Sequence, residues 1–156
     1  MKKIFLILSF VLCLFSLTSC KKIEAYDDMK TVKYEKILSQ SNFSSSGTYY
    51  VIVYRTGCAV CEGILPEVAK YANGVRKNPG TDPIYSLNKS DKKNNSGISA
   101  ESGTKVNTGL GATNYKDIKL ATAPVLLKIE NGKVTKLIDT RTKILAELEK
   151  MNSKFK

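Results

Sequence analysis

An almost unbroken apolar run from Ile4 to Leu17 opens the 156-residue chain, behind the basic start Met1-Lys2-Lys3. It is shorter than the roughly 20 residues that a membrane-spanning helix needs. A basic start, a short apolar core and the small-residue end SLTSC, in that order, predict a secretory signal that is not part of the fold. Polar residues 20–30 follow and predict a tether. From Asp28 a helical pattern places Val32, Ile37 and Leu38 partly on one face, and the SSSG stretch at 44–47 breaks it. Tyr49 to Tyr54 is β-branched and aromatic without alternation, which predicts a strand buried on both faces.

Arg55-Thr56-Gly57 then turns the chain into Cys58-Ala59-Val60-Cys61. Ile64, Leu65, Val68, Ala69, Ala72 and Val75 recur at helical spacing up to Asn78-Pro79-Gly80, and Pro66 inside the pattern predicts a kink. Ile84 to Leu87 predicts a short strand. Residues 88–114 carry few apolar positions and predict a polar loop or insertion, with room for one short helix around Ser99 to Val106. So long a stretch without structure of its own is functional or disordered. Val125–Ile129 and Val134–Ile138 flank Asn131-Gly132, a strong hairpin signal. Ile144, Leu145, Leu148 and Met151, with Phe155 a turn further on, mark a closing helix. A βαβ start with an antiparallel end predicts an α/β domain over residues 31–156, a mixed central sheet flanked by helices.

Charge changes this picture little. The 25 Lys and Arg exceed the 14 Asp and Glu, for a net charge of +11, but the lysines are scattered. That reads as a solvated basic surface suited to an anionic leaflet, and it does not argue for nucleic acid. Histidine changes more. The chain has none, which excludes Ser-His and Cys-His nucleophile pairs and every histidine metal ligand.

Leu17-Thr18-Ser19-Cys20 resembles the lipobox of bacterial lipoproteins. The resemblance implies removal of residues 1–19, a diacylglyceryl thioether on Cys20 and anchoring at the extracytoplasmic face of the cell membrane. Two acyl chains on one residue suffice for stable anchoring. Cys13 then leaves with the signal and Cys20 carries lipid, so Cys58 and Cys61 remain as thiols where disulfides persist. Three uses are open to them. They are a redox pair, a structural disulfide whose short loop gains little from closure, or half of a zinc site that a dimer would have to complete.

The order of motifs resembles the thioredoxin superfamily. A buried strand runs into Cys-x-x-Cys at a helix start, Pro66 follows five residues after Cys61, and Thr122-Ala123-Pro124 precedes the strand of a hairpin ending at Gly132. Small extracytoplasmic thioredoxin-like proteins of low-GC Gram-positive bacteria, some of them named bacteriocin transport accessory proteins, are the nearest likeness. The resemblance implies a thioredoxin fold, a thiol–disulfide oxidoreductase without cofactor or metal, and a monomer. Its partners would be exported protein thiols or disulfides and a membrane or extracytoplasmic redox partner. Cys58 would attack as a thiolate stabilised at the helix N-terminus, and Cys61 would resolve. Pro124 would be cis, leaving the backbone of Ala123 to pair with substrate.

Several positions depart from the pattern. Gly57 stands where relatives often place an aromatic residue, Ile52 stands where thioredoxins bury an acid, and tryptophan is absent. Glu62 is a candidate for tuning the thiols. The missing acid keeps a second reading open, a thioredoxin-like adaptor that binds without turnover. A third, the reduction of apocytochrome thiols for haem attachment, stays open but is disfavoured, because its insertion carries a strand and a helix whereas 88–114 reads as loop.

Overall fold

The computed structural model describes residues 21–39, 46–98 and 106–155. The signal, the lipobox with Cys20, and nearly all of the helix expected at Ser99–Val106 lie outside them. Strand β1 (Thr48–Tyr54) is central. It pairs in parallel with β2 (Ile84–Asn88) and antiparallel with β3 (Val125–Glu130), which continues through a hairpin into β4 (Lys133–Ile138). The sheet order is β2-β1-β3-β4. Parallel neighbours need a crossover, and helix α1 (Ala59–Lys77) supplies it. At the hairpin, Asn131 and Gly132 both take the left-handed backbone that a two-residue turn of the favoured type requires, with φ of 50° and 74°.

The apolar run of β1 is buried on both faces, as its lack of alternation predicts. Tyr50, Ile52 and Tyr54 face a core with Ile64, Val68 and Tyr71 of α1 and Ile144 and Leu148 of helix α3 (Arg141–Asn152). Tyr49, Val51 and Val53 face a second core with Leu87, Leu127 and Ile129. Pro66 lies within α1 without ending it. Its missing N–H leaves the carbonyl of Glu62 without the usual helical donor.

The second core shows why residues 88–114 are not simply a loop. Helix α2 (Lys92–Ile98) forms within them, and Thr108 bridges Lys119 beyond. The segment between β2 and β3 has few apolar residues, but Ile98, Ile118 and Leu120 are all fully buried against the sheet. The amide of Leu120 donates to the carbonyl of Ile98 at 2.8 Å. Three large side chains thus join the second core from a stretch that its composition describes as polar.

The expected tether also belongs to the fold. Ile23, Tyr26 and Met29 are each no more than 5% exposed and join the first core. The segment runs along α1 from its C-terminal end toward its start: Asn73 exchanges hydrogen bonds with Ile23, and Tyr26 reaches Cys61. The helix expected from Asp28 is likewise replaced, by short 3-10 turns at Tyr26–Asp28 and Tyr34–Lys36. Between them, Lys30 and Val32 exchange backbone hydrogen bonds with Ser86 at 3.0 and 2.9 Å. The unpaired edge of β2 needs donors and acceptors, and β-branched Thr31 and Val32 suit an extended chain better than a helix.

Candidate active site

The turn after β1 brings the cysteines to the start of α1. Gly57 adopts φ 70°, and a Cβ there would meet nothing within 4 Å. The glycine is therefore favoured by backbone conformation and not by lack of space. Cys58 is the N-cap of α1, and its Sγ accepts from the amide of Cys61 at 3.2 Å. Cys58 and Cys61 are joined as a disulfide with their Cα atoms 5.2 Å apart. Cys58 is 5% exposed and Cys61 fully buried, so an incoming sulfur can approach only Cys58. The unpaired N–H groups of the first helical turn lie at this end of α1.

Across from the pair, the Ala123–Pro124 peptide is cis. The carbonyl oxygen of Ala123 lies 3.7 Å from Cys58 Sγ. Cysteine pair and proline, far apart in the chain, thus meet because β1 and β3 are adjacent, with Val53 opposite Val125. The fold is that of the thioredoxins. No family model matches the chain, and no curated protein matches it. Among solved structures, thioredoxin f2 of Chlamydomonas reinhardtii is similar at 14% identity and a TM-score of 0.49, over 78% of this chain and 94% of that one. Thioredoxin f of spinach chloroplast stands at 13% and 0.48, over 78% and 91%, and mitochondrial thioredoxin 3 of Saccharomyces cerevisiae at 11% and 0.48, over 80% and 97%. The fold assignment rests on the strand order and on the placing of cysteines and proline.

The surroundings of Cys61 differ from the expected pattern. Ile52, at the position of the missing acid, is fully buried between Ser86 and Leu126 of the neighbouring strands. Polar groups come instead from the N-terminal segment. The hydroxyl of Tyr26 donates to the carbonyl of Cys61 at 2.7 Å. Its ring stacks on Tyr54 at 4.2 Å, and the Tyr54 hydroxyl donates to Asp27 at 2.7 Å. Ser86, fully buried, donates to the carbonyl of Tyr26 at 3.0 Å. Burial first, then the charge of Glu62, pushes the Tyr26 phenol well above its ordinary value. Burial first, then the bond to Asp27, does the same for Tyr54.

Glu62 is exposed in the first turn of α1, and its amide donates to the carbonyl of Cys58 at 3.0 Å. Its carboxylate acts on Tyr26 and Tyr54 through its field. Neither Tyr26 nor Tyr54 is marked as a site residue by the sequence. Tyr26 lay in a stretch dismissed as tether, although Ile23, Tyr26 and Met29 repeat every third residue. Among the described residues no helix is long and apolar enough to cross a membrane.

Proposed function

We propose that the protein is an extracytoplasmic thiol–disulfide oxidoreductase, held at the cell membrane by lipid on Cys20. The Cys58 thiolate attacks one sulfur of a substrate disulfide. That S–S bond breaks, the departing thiolate takes up a proton, and a Cys58–substrate mixed disulfide forms. Cys61, as thiolate, then attacks Cys58 Sγ. The mixed disulfide breaks, the second substrate thiolate leaves and is protonated, and the Cys58–Cys61 bond is restored. Two electrons pass to the substrate. Run in reverse, the same steps oxidise a substrate dithiol. A second thiol–disulfide protein at the membrane resets the pair.

The observation that carries the reading is the disulfide at the start of α1 with Cys58 Sγ beside the Ala123 carbonyl. Cys61→Ser removes the resolving thiol, so exported partners should be trapped on Cys58 as mixed disulfides. Non-reducing electrophoresis of whole cells reads this out. Absence of any trapped partner, under oxidising and reducing growth alike, would leave the adaptor reading in its place. Anchoring is tested separately by metabolic labelling with radioactive palmitate, expected in the wild type and lost in Cys20→Ala. The presence of α2 in the segment after β2 favours keeping apocytochrome thiols as one narrower substrate class. That variant requires the reduced protein to cleave the disulfide of a haem-attachment peptide faster than that of an unrelated peptide.

A further inference from the structure

The stretch from Leu120 to Ala123, which carries the carbonyl facing Cys58, is gripped from two sides. On one side stands Lys89, just after β2. Its amide donates to the carbonyl of Tyr54 at 2.7 Å, and its ammonium donates to the carbonyls of Leu120 and of Ala121, the latter at 3.0 Å. It thereby ties the ends of β1 and β2 to the approach of β3. On the other side stands Asn107. Its side-chain amide donates to Thr122 Oγ1 at 2.8 Å and to Asp139 at 2.9 Å, and its side-chain carbonyl accepts from the amide of Thr122 at 3.1 Å. Lys89 and Asn107 thus occupy the carbonyls of residues 120 and 121 and the amide of residue 122. Ala123, next along the chain, is half-buried with its carbonyl oxygen 3.7 Å from Cys58 Sγ.

We infer that Lys89 and Asn107 are positioning residues for disulfide exchange, fixing the Ala123 backbone against Cys58 so that an extended polypeptide substrate can pair with it. The inference rests on the oxidoreductase reading and assigns a purpose to the segment that a minimal domain would lack. Burial is the first cause, and the nearby Arg55 the second, that lower the Lys89 ammonium pKa. A misplaced reacting group costs up to about a hundredfold in rate, so small shifts of this stretch matter to a strand-like substrate. A small disulfide that needs no backbone pairing should be indifferent.

The test uses the reduced full-length protein with two substrates, insulin and dithiobis-nitrobenzoate. Lys89→Met and Asn107→Ala should each lower kcat/KM for insulin about tenfold, mainly through KM, and change the rate with the small disulfide less than about twofold. Lys89→Arg, which still donates to two carbonyls, should recover most of the loss. Hydrogen exchange gives a second readout: the Thr122 amide should exchange about tenfold faster in Asn107→Ala. A wild type inert toward both substrates sinks the oxidoreductase reading and this inference with it. An active wild type whose variants are unchanged, or lose both rates in step with melting temperature, overturns this inference alone.

Discussion

Raising the pH above 10 should unfold this protein through its tyrosines. Tyr34 and Tyr49 are 5% and 0% exposed, and burial first, then a neighbouring tyrosine, holds each phenol up to about 12. Tyr26, Tyr54 and Tyr71 are buried too and shifted further in the same direction. In the unfolded chain each ionises near about 10. Below that pH both states keep the phenol protons, and the shift contributes nothing. Above it the unfolded chain loses them while the folded protein does not, so stability falls by about 1.4 kcal/mol per pH unit per group. At about pH 11 the five groups together remove about 7 kcal/mol, which lies within the roughly 5–15 kcal/mol of a domain's whole stability. Tyrosinate absorbance and far-ultraviolet circular dichroism, followed together, should show one cooperative transition between about pH 10.5 and 12. Gradual titration of all eight tyrosines near their ordinary pKa, with the dichroism unchanged, would refute the reasoning. The Cys58 thiol pKa must accordingly be measured below this range.

Two smaller perturbations test the packing around the site. Tyr26→Phe removes the bond to the Cys61 carbonyl and should cost about 1–2 kcal/mol in urea unfolding of the oxidised protein; an unchanged midpoint would mean that the hydroxyl does not hold that turn. Gly97→Ala places a methyl group where it would meet the Tyr34 ring at 2.3 Å. Overpacking of about 1–3 kcal/mol should outweigh the helix-propensity gain of about 1, and a variant with a raised melting temperature would show that α2 does not press on Tyr34.

How much of this was legible in the sequence depends on how locally each feature is encoded. β1, α1, the hairpin and α3 announce themselves because their apolar residues repeat within a few positions. The disulfide and Pro124 were readable because family resemblance attaches roles to residue types that stand out. The cover over the second sheet face was not readable. Ile98, Ile118 and Leu120 are separated by polar residues, and only the closed sheet shows that they share a face. The N-terminal segment was misread because charge surrounds its apolar residues, and a repeat of three fits neither a strand nor an ideal helix. Lys89 and Asn107 leave no local trace at all. A lysine on carbonyls and an asparagine on a backbone amide look like any surface residue until the chain has folded around them.

The absence of an acid beneath the disulfide carries a kinetic consequence. Among the described residues no Asp or Glu is buried; the buried polar side chains are Ser86, Asn94 and Asn152. The polar group closest in the chain of contacts to Cys61 is the Tyr26 phenol, and a phenol pushed above its ordinary pKa stays protonated at neutral pH. It can donate a hydrogen bond, but it cannot accept the proton that Cys61 must lose before it attacks. That proton has to leave by solvent or by an exposed carboxylate, of which Glu62 is the neighbour of Cys61 in the chain. Resolution should therefore be slower than attack, and it should quicken as the pH is raised from about 6 to about 8, because only the Cys61 thiolate attacks. Rapid acid quench of single turnovers, with the mixed disulfide counted by mass, measures both steps. In Glu62→Gln the resolving step should slow further while attack by Cys58 is little changed. A resolution rate independent of pH across that window would mean that Cys61 has a proton acceptor other than these two.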